Sequence, residues 1–247
     1  MLALVSAMAQ ELDALRPLLE APTTVSVGGR RFEAGLLHGE PVVLVLTGIG
    51  KVAAAATTVQ LIERFGATRL VFTGVAGGLG QGVHVGDIVI GDELLQHDMD
   101  ASPLFPRHEV PLLGLSRFPA DAALSMELAL AATEVVADPA RHFGREAADL
   151  GVSVPRVHRG LILSGDRFVA TAAESRALQA ELPDALAVEM EGAAVAQVCH
   201  GYGLPFAVLR TVSDRADDDA HADFSRFIEV VARRATAAVI GTWLGER

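Results

Sequence analysis

The stretch TVSVGGRRFEAGLLHGEPVVLVLT, residues 24–47, contains three runs suited to strands, 24–27, 31–37 and 42–47, separated by Gly28-Gly29 and His38-Gly39-Glu40. Glycine tolerates the positive φ of tight reversals, so these runs are expected to follow one another through short turns. Outward from this cluster the pattern changes. Apolar runs at 2–7, 70–73, 156–163, 186–189 and 206–211 read as strands. Between and beyond them, residues 10–20, 48–65, 121–137, 172–180, 191–201 and 224–243 carry helical patterns, the first shortened or made irregular by Pro17. Alternation of this kind predicts a βα core, and three successive strands break it. The expected fold is therefore α/β: a three-layer sandwich with a mixed central β-sheet, in a single domain over residues 1–247.

Composition narrows the function. A hydrophobic fraction of 51% predicts a folded chain rather than a disordered one. Lys and Arg total 20 against 31 Asp and Glu, a formal net charge of -11, which opposes binding to nucleic acid or to anionic membranes. A small ligand is not opposed, because its binding depends on local groups. Cys199 is the only cysteine, so an intrachain disulfide is excluded, and its apolar surroundings predict a buried thiol. The opening MLALVSA lacks the positive flank of a secretory signal, and no apolar run reaches the length of a membrane span, so a cytoplasmic location is expected.

Cofactor motifs are missing. Gly74-Val75-Ala76-Gly77-Gly78 and Gly48-Ile49-Gly50-Lys51 lack the spacings of dinucleotide and P-loop fingerprints, and no Gly-x-Ser-x-Gly elbow is present. The glycines read as sharp strand exits that let a ligand approach backbone donors. Between Gln96 and Gly114, three prolines predict a shaped loop with a binding or contact role. His97, Asp98 and Asp100 in it read as turn and surface groups, and Asp217-Asp218-Asp219 with His221 as a solvated helix entry, so no metal site is expected. The carboxylates stand out more. Glu11, the pair in Glu189-Met190-Glu191, and Asp214 each follow an apolar strand, where loops of α/β proteins converge on ligands.

These segments together resemble the 5'-methylthioadenosine/S-adenosylhomocysteine nucleosidase family, within the nucleoside phosphorylase-like superfamily. The resemblance covers nearly the whole chain. It rests on Ser6-Ala7-Met8-Ala9-Gln10-Glu11, Thr47-Gly48-Ile49-Gly50-Lys51-Val52-Ala53, Thr73-Gly74-Val75-Ala76-Gly77-Gly78, Val85-Gly86-Asp87, Ser164-Gly165-Asp166-Arg167-Phe168, Val188-Glu189-Met190-Glu191 and Arg210-Thr211-Val212-Ser213-Asp214.

The resemblance implies a phosphorylase/hydrolase-like fold and hydrolysis of the N-glycosidic bond of methylthioadenosine, and it admits S-adenosylhomocysteine. Asp214 would protonate adenine N7, Glu11 would activate water, and Glu191 would hold the ribose hydroxyls. Met8 and Met190 would pack on the ribose, with Ile49 and Gly77 also at the substrate. Phe168 would stack on adenine and the Val169 backbone would read its edge. Arg210 would partner Glu191 or a ribose hydroxyl, and Ser213 would orient Asp214; Asp166 would order its loop. No cofactor or metal is implied. The partners implied are an adenine nucleoside, water and a second copy of the chain in a homodimer, with residues 96–114 near the interface.

One position departs from the pattern. Val75 stands where these bacterial nucleosidases usually have Ser and where related phosphorylases direct a hydroxyl at phosphate. Valine offers no such bond, which counts against phosphate as the nucleophile. The alternatives are a phosphate-dependent purine nucleoside phosphorylase, a nucleosidase for another 5'-modified adenine nucleoside, and a noncatalytic nucleoside-binding protein.

Overall fold

The computed structural model describes residues 1–152, 154–216 and 224–245. Asp217-Asp218-Asp219 and His221 lie outside the described residues. The strands are β1 Leu2–Ser6, β2 Glu20–Val27, β3 Arg30–Leu37, β4 Glu40–Leu46, β5 Arg69–Gly78, β6 Ile88–Gln96, β7 Arg117–Pro119, β8 Val157–Ser164, β9 Ala185–Glu189 and β10 Phe206–Asp214. The helices are α1 Ala9–Leu12, α2 Lys51–Phe65, α3 Ala122–Val136, α4 Pro139–His142, α5 Ala172–Glu181, α6 Gly192–Tyr202, α7 Phe224–Phe227 and α8 Arg233–Leu244, the last two joined by a π-helical turn, Ile228–Ala232.

The early strand cluster forms the antiparallel edge β4-β3-β2. Both of its turns place two successive residues at positive φ, Gly28 and Gly29 in one, His38 and Gly39 in the other. That backbone matches the right-handed twist of the strands it joins. β4 then pairs in parallel with β1, and β1 with β5, so the sheet is mixed as expected.

Alternation along the strands builds the layers. Leu2 and Leu4 pack into one core with Leu12, Leu128 and Val239, from α1, α3 and α8. Ala3 and Val5 face the other way, into a core with Ala54, Leu61, Ala193 and Cys199, from α2 and α6. The result is a three-layer α/β sandwich around a ten-stranded sheet. Among the described residues, no helix is long and apolar enough to cross a membrane.

Three elements differ from the sequence expectation. Residues 10–20 form only the short α1 and a 3-10 turn at Arg16–Leu18, with Pro17 inside the turn, and Glu20 already belongs to β2. The polar connection 138–151 forms α4 and a 3-10 segment, Arg145–Leu150, because Phe143, Ala147 and Leu150 reach the core.

The third difference shapes the site. β5 does not end at Thr73 but continues through Gly78, and β10 continues to Asp214. β10 pairs with both β5 and β6, while β9 pairs with β5 and β8. Thus β5, β10, β6, β8 and β9 close into a ring of paired strands. Gly77 is in register with Asp214 on one side and with Val188 on the other.

Candidate active site

A cavity of about 170 Å³ lies where the ends of β5, β9 and β10 meet the segments that follow β1, β4 and β8. Glu11, Glu191 and Asp214 all line it, as do Met8, Ile49 and Gly77. Phe168, Val169, Met190 and Ser213 complete the expected set within the wall. Arg210 is the exception, lying buried behind the cavity with 1% of its surface exposed.

Glu11 sits on α1, which begins as soon as β1 ends. Its Oε2 accepts the amides of Ala7 at 3.1 Å and Met8 at 2.9 Å, and its Oε1 accepts the Val75 amide at 3.1 Å. The carboxylate reaches Val75 only because residue 74 is glycine: a Cβ there would stand 2.8 Å from Glu11 Oε1. Burial pushes the Glu11 carboxyl above the ordinary glutamate range, against the pull of these amides and of the Arg210 charge.

At the far end of β10 the ladder with β5 shifts register between Val212 and Asp214. Successive strand residues normally face opposite sides, and a bulge re-aims them. Ser213 and Asp214 therefore both reach the cavity. Asp214 Oδ2 accepts the Ser213 hydroxyl at 2.7 Å, and Oδ1 accepts the Ala216 amide at 2.8 Å. The Ser213 hydroxyl also lies 3.4 Å from the Ala76 carbonyl. It can donate to the carboxylate, or accept from the carboxyl while donating to Ala76, so it suits both protonation states.

Glu191 opens α6, where its Oε1 accepts the Gly50 amide at 2.8 Å. Burial and then the negative charge of Glu189 push its carboxyl up to about 7, while the Gly50 amide and Arg210 pull it down. The expectation that Arg210 pairs with Glu191 is corrected: Arg210 Nη2 donates to Glu189 Oε2 at 2.7 Å. Glu189 fits that role because it lies on β9 and its other neighbours are donors too. Arg210 also lies over the Phe72 ring, 4.2 Å from its centroid. Removing one member of such a buried pair costs about 3–5 kcal/mol, since the other charge is left alone.

Other participants had no clear signal in the sequence. Phe224 lines the cavity and meets Phe168 edge-on, with centroids 6.1 Å apart and planes at 77°. Asp98 is more than a surface group. Its Oδ1 accepts Lys51 Nζ at 2.6 Å and its Oδ2 accepts the Asp166 amide at 2.9 Å. Asp166 in turn accepts the Lys51 amide at 2.8 Å, so it orders the loop, as expected. Burial alone would raise the Asp98 carboxyl, but Lys51 and the Asp166 amide hold it below the usual carboxylate range. The link ties the segments after β4, β6 and β8 together beside Glu191. Cys199 is buried, with its thiol pushed up to about 12 by burial, and lies in the core. Among the described residues, no group of three or more His, Cys, Asp or Glu side chains is placed to hold a metal.

A mixed α/β sheet with carboxylates gathered at its strand ends defines a class, and the chain matches the Phosphorylase superfamily over residues 1–242. Within it, the chain is 35% identical to a 5'-methylthioadenosine/S-adenosylhomocysteine nucleosidase of Aeromonas salmonicida, covering 96% of each. It is 38% identical to the Chromohalobacter salexigens enzyme of that name, covering 96% of this chain and 94% of the other. Among solved structures, the Neisseria meningitidis nucleosidase in complex with methylthio-immucillin-A superposes with a TM-score of 0.83 at 37% identity, covering 98% of both chains. The Streptococcus pneumoniae nucleosidase with the transition-state inhibitor MT-ImmA gives 0.84 at 32% identity, covering 98% of this chain and 97% of that one. The chain belongs to the 5'-methylthioadenosine/S-adenosylhomocysteine nucleosidase family.

Proposed function

We infer that this protein hydrolyses the N-glycosidic bond of 5'-methylthioadenosine and S-adenosylhomocysteine, releasing adenine and a 5'-thio-substituted ribose. The observation that carries this reading is the convergence of Glu11, Glu191 and Asp214 on one cavity, each carboxylate held by different donors. Adenine leaves poorly as an anion. Asp214 donates a proton to purine N7, so the base departs neutral while positive charge develops on the sugar. Water adds its oxygen to the sugar carbon, and Glu11 takes the proton that water loses. A carboxyl raised by burial is a better base than an ordinary glutamate, which suits that role. Glu191 accepts from the ribose hydroxyls and, as an anion, favours the cationic transition state.

The rest of the wall supports the same ligand. Phe168 supplies a flat apolar face for a purine, with the Phe224 ring set edge-on to it, and the Val169 backbone supplies polarity at the purine's edge. Met8, Met190, Ile49 and Gly77 shape the room for the sugar. Arg210 acts from behind the cavity, through its charge, rather than by touching a hydroxyl. Water rather than phosphate is favoured as nucleophile, because Val75 gives the Glu11 carboxylate an amide and gives the cavity no hydroxyl. A homodimer completes the site: Leu104 and Leu112, 84% and 92% exposed on the 96–114 loop, suit burial against a second copy.

Product analysis with methylthioadenosine, S-adenosylhomocysteine, 5'-deoxyadenosine and inosine, each with and without phosphate, tests the reading. From methylthioadenosine and S-adenosylhomocysteine, adenine and free thio-ribose are expected at the same rate in both conditions. Strict phosphate dependence with a ribose phosphate product would reject hydrolysis. Light scattering tests the dimer, with a monomer counting against it.

A further inference from the structure

Glu189 lies two residues from Glu191, and its surroundings are unusually uniform. Its Oε2 accepts Arg210 Nη2 at 2.7 Å and the amides of Glu191 at 3.1 Å and Gly192 at 2.9 Å. Its Oε1 accepts the Gly192 amide at 2.9 Å and the Ser164 hydroxyl. That hydroxyl in turn accepts the Ala193 amide at 2.7 Å, so its own proton is committed to Glu189. Every one of these neighbours donates. A carboxylate is acceptor-only and satisfies them all, whereas a glutamine would turn an NH2 toward donors.

We propose that Glu189 is a positioning residue for Glu191: by binding Arg210, Ser164 and the amides that open α6, it fixes where the neighbouring carboxylate stands and the field in which it works. The Glu191 and Gly192 amides it grips are the peptide units on either side of the Glu191 side chain. They set the direction in which that side chain leaves the backbone. Glu189 also neutralises Arg210, whose full charge would otherwise act on Glu191 and Glu11. The charged groups around Glu191 are Glu189 from β9, Arg210 and Asp214 from β10, Glu11 from α1 and Arg167 from the segment after β8. Lys51 is nearby in sequence to Gly50, but its ammonium is bound to Asp98.

This rests on the reading that Glu191 works as an anion on the ribose. The test measures kcat and KM for adenine release from methylthioadenosine between pH 5 and 9, for the wild-type protein and for Glu189→Gln, Glu189→Asp and Glu191→Gln. In Glu189→Gln a repelling charge is gone and Arg210 is unopposed, and both changes favour the Glu191 anion. The acid-side inflection of kcat/KM is expected to move to lower pH by about one pH unit. In Glu189→Asp the charge stays but the carboxylate is drawn back. The inflection is expected to hold while kcat falls about tenfold, because Glu191 is no longer aimed.

A merely structural residue would lower the melting temperature and leave the pH profile of the folded enzyme in place. A folded Glu189→Gln with an unmoved inflection overturns the proposal. If Glu189→Gln does not fold, Glu189→Asp decides: wild-type kcat, KM and profile would overturn it. Glu191→Gln separates the two claims, since wild-type activity in that variant removes Glu191 from the reaction whatever Glu189 does.

Discussion

The carboxylates of the cavity are held in different ways. Asp214, buried like the others, sits on a bulged strand end, where one oxygen faces the Ser213 hydroxyl and the other the Ala216 amide. Glu11 and Glu191 are governed by burial and by one another, packed near a single guanidinium that Glu189 already occupies. On the roles proposed for them, the difference follows from the work. A proton donor to a heterocycle must point along a lone pair, whereas a base and a cation-stabilising anion need the right affinity for a proton and a low-dielectric surrounding.

The largest expected effect tests whether the two halves act on different partners. Asp214→Asn keeps the shape and can still accept the Ala216 amide, so it should fold, yet adenine release should fall by about 10²–10⁴. Glu11→Gln should lose activity on a similar scale. The halves separate on a ribose whose leaving group departs without protonation, such as p-nitrophenolate. On that substrate Asp214→Asn should recover most of its rate and Glu11→Gln should not. Equal losses for both variants on both substrates would erase the distinction.

Legibility of the fold and site divides along the same line. Strand and helix alternation, the early hairpins and the carboxylates at strand ends are local patterns; they placed Glu11, Glu191 and Asp214 at strand ends, while the resemblance implied the shared pocket that the fold brings together. The extensions of β5 through Gly78 and β10 to Asp214 were not legible, because glycine is a poor strand former and only pairing on both sides holds Gly77 extended. Partnerships across the chain were equally hidden. Arg210 could have met either Glu189 or Glu191 by spacing; the choice of Glu189 comes from β9 and β10 meeting in three dimensions. Asp98 looked like a turn residue because Lys51 and Asp166 are far away in sequence. Phe224 carried no signal beyond opening a helix.

A smaller effect concerns what burial costs the sugar half. Glu191 is raised to about 7 from an ordinary value of 4.5, so the folded state holds a proton that the unfolded chain has released between those pH values. Stability is then greatest below about pH 4.5 on this account and falls as pH rises through 7. At pH 8 the accumulated penalty is on the order of 3 kcal/mol. Glu191→Gln removes it. Denaturant unfolding should show the variant more stable than wild type by about that amount at pH 8, with the gap closing near pH 5. A gap that is the same at both pH values would mean that Glu191 is not strained by its charge. No such alkaline gain is expected at Ser213, which changes orientation rather than burial.

Ser213→Ala therefore gives the smallest effect and the sharpest view of the donor half. The hydroxyl contributes one hydrogen bond to Asp214, worth about 1 kcal/mol, and its loss leaves the Ala216 amide still in place. Adenine release should fall by roughly five- to tenfold in kcat, with KM nearly unchanged, since the substrate itself loses no contact. The test that separates orientation from packing is again the leaving group. Misdirection of Asp214 matters only when the base must be protonated, so the activated riboside should be cleaved by Ser213→Ala at close to the wild-type rate. A loss of equal size on that substrate would mean that Ser213 supports the cavity wall as a whole, and that Asp214 is held as much by its surroundings as by the hydroxyl beside it.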